Sequence, residues 1–245
     1  MSEEYGKSIN WVRSKINAAK ALEKEVAPNG YAMVADATFA KRIYGFLVYR
    51  IPEIKKNVYF APISYETIFE YQKGRIKVQK QGFTIRAITL DGRPGVRNLF
   101  SDIPVQMCHF HQKQIIRRYL TGNPKLEAGI ELKAITDTLT YATEDVFAGK
   151  FNDWCDKWDT FLKERTTDPI TGKWHYTHKN VRSARHSLKI NLPYLFTYLK
   201  YPELNIPNTT NSLDGSFSWL KQKLNMHRGF TDQLRDKIVE HILGN

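Results

Sequence analysis

The sequence predicts an α/β fold: a mixed sheet flanked by helices, with an all-helical insertion before the last helix of the sheet domain. Three observations predict this class. Three strand-like runs with short connections lie between residues 31 and 63, which is typical of an antiparallel meander. A helix, a strand, a helix and a strand follow between residues 66 and 110, which is the order of a mixed sheet with helices on both faces. Residues 121–202 show only the apolar spacing of helices, and they predict the insertion.

An N-terminal segment, residues 1–28, is predicted to precede the sheet. Its sequence YGKSINWVRSKINA indicates a turn and then a helix, with Ser8 as the N-cap. This resembles the turn and recognition helix of a helix-turn-helix, but a plain linker helix on the surface is the favoured interpretation. Because the chain begins just before the turn, a truncated DNA-binding module is a further interpretation.

The sheet domain is predicted to comprise residues 29–120 and 203–245, with the insertion at 121–202. Predicted strands cover residues 31–39, 42–50, 58–63, 84–90 and 105–110. Predicted helices cover residues 66–80, 96–100, 112–120, 126–146, 151–163 and 181–201, and a last helix follows Asn211.

Composition limits the possible partners and compartment. The net charge is +12, from 37 Lys and Arg against 25 Asp and Glu, which favours a polyanionic partner, nucleic acid before a membrane surface. A hydrophobic content of 42% excludes a disordered chain. Two cysteines cannot build a disulfide framework, and no apolar stretch predicts a secretory signal or a membrane span. We therefore expect a soluble cytoplasmic protein that does not contact membranes.

Three aspartates stand where a carboxylate could carry chemistry. Asp36 interrupts an apolar strand, where a lone carboxylate is costly unless it is paired or binds metal. Asp91 directly follows a strand, although DGRPG is also good turn chemistry. Asp214 begins an amphipathic helix, although Asn211 three residues earlier resembles a capping box. Each acid alone is ambiguous, but convergent carboxylates are the ligands that Mg²⁺ needs to act on a phosphodiester.

Basic residues interleaved with aromatic residues between positions 171 and 202 suit a surface that follows phosphates, with a solvated helix face as the alternative. His227 and Arg228 are also expected near a phosphate, although cations there could cap a helix C-terminus. The side chains predicted to bind DNA are Lys179, Arg182, Arg185, Lys221, His227 and Arg228.

The pair Cys108 and His111 allows two interpretations. Its Cys-x-x-His spacing is that of zinc ligands, but a closed zinc site needs two more. Cys155, His175 and His178 could supply these only if the fold brings them together. Packing or support of an active site is the favoured interpretation, and stoichiometric zinc would reverse it.

Four motifs in order resemble those of bacterial insertion-sequence transposases of the DDE type, in the broad Mutator-related group. They are DATF at Asp36, TLDGRPGVRNLF at Asp91, PVQMCHFHQKQIIRR with Cys108 and His111, and NTTNSLDGSFSWLKQKLNMHRGF with Thr210, Asn211, Asp214, Lys221 and Gly229. The resemblance spans roughly residues 31 to 235. One departure concerns Asp214, because the family's third acid is usually glutamate and aspartate is one methylene shorter.

The resemblance implies a ribonuclease-H-like catalytic domain and a metal-dependent polynucleotidyl transferase. Asp36, Asp91 and Asp214 would bind Mg²⁺, or Mn²⁺ as a substitute, while Cys108, His111 and Asn211 would support the site. The implied activity is cleavage at element ends and transfer of the freed 3′-hydroxyls into target DNA. Implied partners are the terminal repeats, the target DNA and further copies of the chain in a dimer or larger synaptic assembly, in a bacterial, nucleoid-associated setting.

Two other functions stay open at the level of sequence. A decayed or domesticated transposase would bind DNA without catalysis, which the departure at Asp214 favours and the presence of all three acids disfavours. A structure-specific nuclease of the same fold would cleave DNA and never join it.

Overall fold

The computed structural model describes residues 6–18, 27–42, 44–226 and 232–244, and every element below is formed by these residues. The strands are β1 (Gly30–Lys41), β2 (Tyr44–Ile51), β3 (Lys56–Ile63), β4 (Thr84–Leu90), β5 (Val105–Met107), β6 (Arg165–Thr167) and β7 (Trp174–Tyr176). The helices are α1 (Ile9–Ala18), α2 (Ile68–Lys80), α3 (Pro94–Asn98), α4 (His109–Leu120), α5 (Glu127–Asp137), α6 (Glu144–Lys157), α7 (Asp159–Lys163), α8 (Lys179–Leu195), α9 (Thr197–Lys200), α10 (Asp214–Met226) and α11 (Asp232–Leu243).

Five strands form a mixed sheet in the order β3-β2-β1-β4-β5. β2 pairs antiparallel with both β1 and β3, whereas β4 and β5 are parallel. β6 and β7 form a separate antiparallel pair. The predicted α/β class, the antiparallel meander and the mixed sheet are therefore confirmed.

The chain divides into two compact units. The first comprises Met1–Ile85 and Asn211–Asn245, and the second comprises Arg86–Thr210. The boundary thus falls within β4, and the division into sheet domain and insertion at residues 121–202 stays a prediction.

In the first unit, helices cover both faces of β2, which is buried along nearly its whole length. On one face, the hydroxyl of Tyr49 donates a hydrogen bond of 2.6 Å to the backbone carbonyl of Tyr71 on α2. On the other face, Phe46 and Val48 join an apolar cluster with residues of α10 and α11. Because both faces are covered, β2 is mostly apolar and aromatic instead of alternating. Its one charged residue, Arg50, is buried and donates a hydrogen bond to the Asn57 side chain (2.8 Å).

In the second unit, α4 and α8 pack together within one apolar core. A chain of buried polar side chains crosses this helix pair. Arg97 donates to Asn191 (2.8 Å), Asn191 donates to Gln112 (2.8 Å), and Gln112 donates to Ser187 (3.3 Å). These bonds satisfy polar groups that would otherwise be costly to bury.

The insertion differs from its prediction in four places. The helix predicted over residues 126–146 ends at Asp137, a 3₁₀ turn follows at Thr138–Thr140, and α6 begins at Glu144. The helix predicted over residues 151–163 is divided between α6 and α7, and the helix predicted over residues 181–201 begins at Lys179 and is divided between α8 and α9. The insertion is also not all-helical, because β6 and β7 form a hairpin within it. Capping explains the first break: the Thr143 hydroxyl accepts a hydrogen bond from the backbone N–H of Val146 (3.4 Å), which starts a new helix there.

Smaller differences concern element ends. α3 begins at Pro94, a favourable first helical position, and not at residue 96. α4 begins at His109, which shortens β5 to three residues. The predicted N-cap of α1 is confirmed, since the Ser8 hydroxyl accepts a hydrogen bond from the N–H of Trp11 (3.2 Å). The helix-turn-helix interpretation of residues 1–28 stays a prediction.

None of the described helices combines the length and apolar character needed to cross a membrane.

Candidate functional site

Asp36 is a buried carboxylate in the middle of β1, with 8% of its surface exposed. Its side chain shares a sheet face with Val34, two residues earlier, and the register places it opposite Val48 of β2. Val34 and Val48 both belong to the apolar cluster that includes α10. The Oδ1 atom of Asp36 accepts a hydrogen bond from the backbone N–H of Ala37 (2.8 Å). Asp36 therefore lies on the sheet face that α10 covers, and not on a solvated face.

Asp214 is the first residue of α10, and its backbone N–H donates to the carbonyl of Asn211 (3.1 Å). Four apolar residues at helical spacing are buried, as predicted: Leu213 just before the helix, and Phe217, Leu220 and Leu224 within it. Asp214, Ser218 and Lys221 are exposed on another face. The acid and the lysine thus lie on the solvent side of a helix whose other side packs against β1.

Asp91 follows the last residue of β4, and Cys108 follows the last residue of β5. Because β4 and β5 are parallel, with Leu90 opposite Met107, these two side chains follow corresponding ends of one strand pair. The Oδ1 atom of Asp91 accepts a hydrogen bond from the N–H of Arg93 (3.2 Å), so the turn chemistry expected of this segment is present. Asp91 is half-buried, so part of its carboxylate stays exposed to a ligand.

The Cys108 thiol lies in a set of hydrogen bonds at the start of α4. It accepts a hydrogen bond from the backbone N–H of Thr210 (3.3 Å) and lies 3.6 Å from the Thr210 hydroxyl. Burial raises the pKa of this thiol. Hydrogen bonds and the charge of His111, together with the Thr210 hydroxyl, lower the pKa by more than burial raises it, so the pKa lies below its ordinary value. The backbone N–H of His109 donates to the carbonyl of Asn208 (2.9 Å). These contacts hold the segment that precedes α10 against the ends of β4 and β5.

Replacing His111 by alanine is expected to raise the pKa of Cys108 above its ordinary value, because burial would remain without the compensating imidazole. A depressed thiol pKa stabilises the fold above the pKa of the unfolded thiol, and this stabilisation is lost as pH falls through the folded pKa. The measurement is the ultraviolet absorbance of the thiolate against pH in a Cys155→Ser background. His178→Ala is the matched control, since His178 bonds Glu164 instead (2.8 Å). An unchanged Cys108 titration in His111→Ala would contradict the assignment.

A cationic face of α8 lines a pocket of about 210 Å³. Its residues recur at helical spacing: Arg182, Arg185, His186 and Lys189. The Arg182 guanidinium lies 3.5 Å from the ring centroid of Tyr176 and donates to the carbonyl of Leu162. Arg182 is thus held in place before any ligand binds. Arg185 counteracts the rise that burial causes in the pKa of the Cys155 thiol. The sequence prediction included Arg182 and Arg185, but it omitted His186 and Lys189 from the DNA-binding set.

The hairpin β6–β7 adds residues that the sequence interpretation missed. The Arg165 guanidinium lies 4.0 Å from the ring centroid of Trp174, which is 53% exposed. The interleaving of basic and aromatic residues is the signal that could have found it, but Arg165 precedes the predicted stretch between positions 171 and 202. Lys179 is exposed at the start of α8 and is not part of the pocket lining.

The three predicted metal ligands can be compared with the ligands that Mg²⁺ requires. Asp36, Asp91 and Asp214 supply carboxylate oxygens, which are the ligands that Mg²⁺ prefers. Within residues 6–18, 27–42, 44–226 and 232–244, no group of three or more His, Cys, Asp or Glu side chains is placed to hold a metal ion. The three acids therefore fit Mg²⁺ by their chemistry, while their convergence on one ion stays a prediction.

The alternative zinc ligands have other partners in the second unit. Cys155 contacts Arg185, and His178 stacks on Phe161 at 3.6 Å between ring centroids. Cys108 contacts His111 and Thr210 instead. His227 and Arg228, predicted to approach a phosphate, lie outside the described residues.

Three features of the described chain are therefore candidates for function. Two are the buried Asp36 on the face covered by α10 and the cationic face of α8. The third is the bonded segment after β4 and β5, in which Asn208 and Thr210 form hydrogen bonds with His109 and Cys108. Each lies within a single unit. No protein-family model matches the chain, and no curated protein is significantly similar to it in sequence.

Proposed function

We propose that the chain is a DDE-type DNA transposase with a ribonuclease-H-like catalytic domain, in which three aspartates serve as the acids. The observation that carries the proposal is the burial of Asp36 on the sheet face against which α10 packs, while Asp214, the first residue of that helix, is exposed to solvent. A buried carboxylate needs groups that offset its desolvation, and a metal ion can be one of them, beside hydrogen-bond donors such as the N–H of Ala37. The four motifs that resemble such transposases occur in the matching order.

In this proposal Asp36, Asp91 and Asp214 hold Mg²⁺, or Mn²⁺ in its place. The ion, when bound, supplies activation of a water or 3′-hydroxyl and neutralises charge on the phosphodiester. Asp36 offers a carboxylate whose position is fixed by the rigid strand and by the N–H of Ala37. Lys221, on the exposed face of α10 one turn beyond Ser218, would contact a DNA phosphate near the acids.

The bonded segment after β4 and β5 would orient the acids. Thr89 donates through its hydroxyl to the carbonyl of Pro207 (2.5 Å), and Thr210 bonds Cys108. These bonds fix the chain four residues before Asp214. Cys108 and His111 would thereby act as positioning residues, with Asn211 at the entry of α10.

The cationic face of α8 would bind the backbone of duplex DNA, since its lining carries four basic side chains and the phosphate backbone dominates protein–DNA affinity. The proposed DNA partners are terminal repeats and target. Because two ends must be joined to one target, a dimer or larger synaptic assembly belongs to the proposal.

The test is a strand-transfer assay. The full chain, Mg²⁺ and a supercoiled plasmid are mixed with an end-labelled duplex that carries the DNA flanking the gene. We expect a labelled strand covalently joined to the plasmid on a denaturing gel, and loss of this product with EDTA. Cleavage without joining would indicate a nuclease instead.

A second candidate function is DNA binding without catalysis. The observation that favours it is the cationic face of α8 with the Arg165–Trp174 contact. These residues would serve DNA binding, and cleavage of a phosphodiester does not require them. The same assay discriminates the two functions. A pure binder would retard the duplex on a native gel and yield neither cleaved nor joined DNA.

A further inference from the structure

A second pocket, of about 430 Å³, lies between α4 and α5 in the second unit. Small-molecule sites have volumes of roughly 300–1,000 Å³, so the space is sufficient for a ligand the size of a nucleotide. Its lining belongs to neither the three aspartates nor the cationic face of α8.

One face of α4 supplies an aromatic ring and two cations to this pocket. Phe110, Lys113 and Arg117 are three and four residues apart, which places them on the same side of a helix. Phe110 is 42% exposed, so one face of its ring is open to a ligand, and it contacts the ring of His111 at 5.7 Å between centroids. An open aromatic ring beside cations suits a flat aromatic ligand that carries negative charge.

The charge of the lining is positive even after its internal bonds are counted. Lys133 pairs with the carboxylate of Asp137 (2.8 Å), so that acid is already neutralised. Lys113 donates to the backbone carbonyl of Asp137 (3.1 Å) and to the Thr140 hydroxyl (3.4 Å), neither of which is a negative charge. Arg117 is exposed and forms no ion pair with a described residue. Lys113 and Arg117 therefore leave two positive charges for a ligand.

We propose that this pocket binds a nucleotide, with the base stacked on Phe110 and a phosphate held by Arg117 and Lys113. A guanidinium can donate two parallel hydrogen bonds to one phosphate, and an aromatic ring accepts any base. A simple anion would leave the exposed Phe110 unexplained, and an apolar ligand would leave both cations unexplained. A free nucleotide and an unpaired nucleotide at the end of a DNA strand share this chemistry.

The experiment measures affinity of the full chain for two probes, ATP and a 5′-phosphorylated oligothymidine strand. Arg117→Gln and Phe110→Leu are each expected to weaken binding about tenfold, since stacking and phosphate contacts each contribute on that scale. Arg118→Gln is the matched control, because Arg118 is equally charged, exposed and next in sequence, but does not line the pocket. Thermal unfolding of each variant verifies that it is folded.

The two probes distinguish the sources of the ligand: tighter binding of ATP indicates a free nucleotide, and tighter binding of the strand indicates a DNA end. Absence of binding by both probes would overturn the proposal. So would equal weakening by Arg118→Gln, or wild-type affinity in Phe110→Leu. The pocket lining contains none of the three aspartates, and the affinities are compared without any cleavage or joining step, so the result does not depend on whether the chain is a transposase.

Discussion

Asp36→Asn is expected to lower the rate of strand joining by at least about a thousandfold, because a metal ligand supports several kcal/mol of charge stabilisation. The substitution keeps the shape of the side chain and the Oδ1 acceptor for the N–H of Ala37. It removes a negative charge from a side chain that is 8% exposed on the sheet face covered by α10. Loss of joining activity with a change in the unfolding free energy of no more than about 1 kcal/mol is expected of an acid that serves the reaction.

The measurements are the strand-transfer assay, urea denaturation and the dependence of Tm on Mg²⁺. Wild-type Tm should rise with Mg²⁺, because a ligand that binds only the folded state stabilises it, and this rise should shrink in Asp36→Asn. Asp153→Asn is the matched control, an exposed acid on α6 that is expected to change none of the three quantities. A fully active Asp36→Asn variant, or one destabilised by several kcal/mol, would show that Asp36 is a structural acid.

The sheet was more predictable from the sequence than the insertion. β4 begins and ends where the pattern predicts, because a run of β-branched residues between two turn sequences has clear limits. The burial of Leu213, Phe217, Leu220 and Leu224 follows from helical spacing alone. By contrast, apolar spacing continues across the break between α5 and α6, so periodicity could not locate it. The strands β6 and β7 were not predicted, because each has three residues and no alternation of buried and exposed side chains.

The candidate sites differ in the same way. Asp36 could be identified as a candidate from the sequence alone, because an acid within an apolar strand pattern is unusual. The pocket between α4 and α5 could not be predicted in this way. Phe110 and Arg117 of α4 form a pocket only when Lys133 and Asp137 of α5 pack beside them. The contacts of Cys108 with Thr210 join residues 102 positions apart, which no local pattern encodes.

Gly92→Ala is expected to lower the free energy of unfolding by about 2–6 kcal/mol. Gly92 has a φ of 90°, a conformation that costs a residue with a side chain about 1–3 kcal/mol. A Cβ atom at this position would also lie 2.0 Å from the Sδ atom of Met107, which is 1% exposed and cannot move outward. Such overpacking costs about 1–3 kcal/mol more. Gly92 directly follows Asp91, so the turn that presents this acid depends on the absence of a side chain.

Gly149→Ala provides the matched control for this substitution. Gly149 lies in α6, where an added Cβ atom would have open space within 4 Å, so alanine there should stabilise the protein by about 0.5–1 kcal/mol through helix propensity. Urea denaturation of both variants should give changes of opposite sign. In a Met107→Ala background, Gly92→Ala should cost less than in the wild type, because the overlap with the sulfur is removed and only the φ strain remains. Equal costs in the two backgrounds would show that the clash with Met107 contributes nothing and that φ alone requires glycine after Asp91.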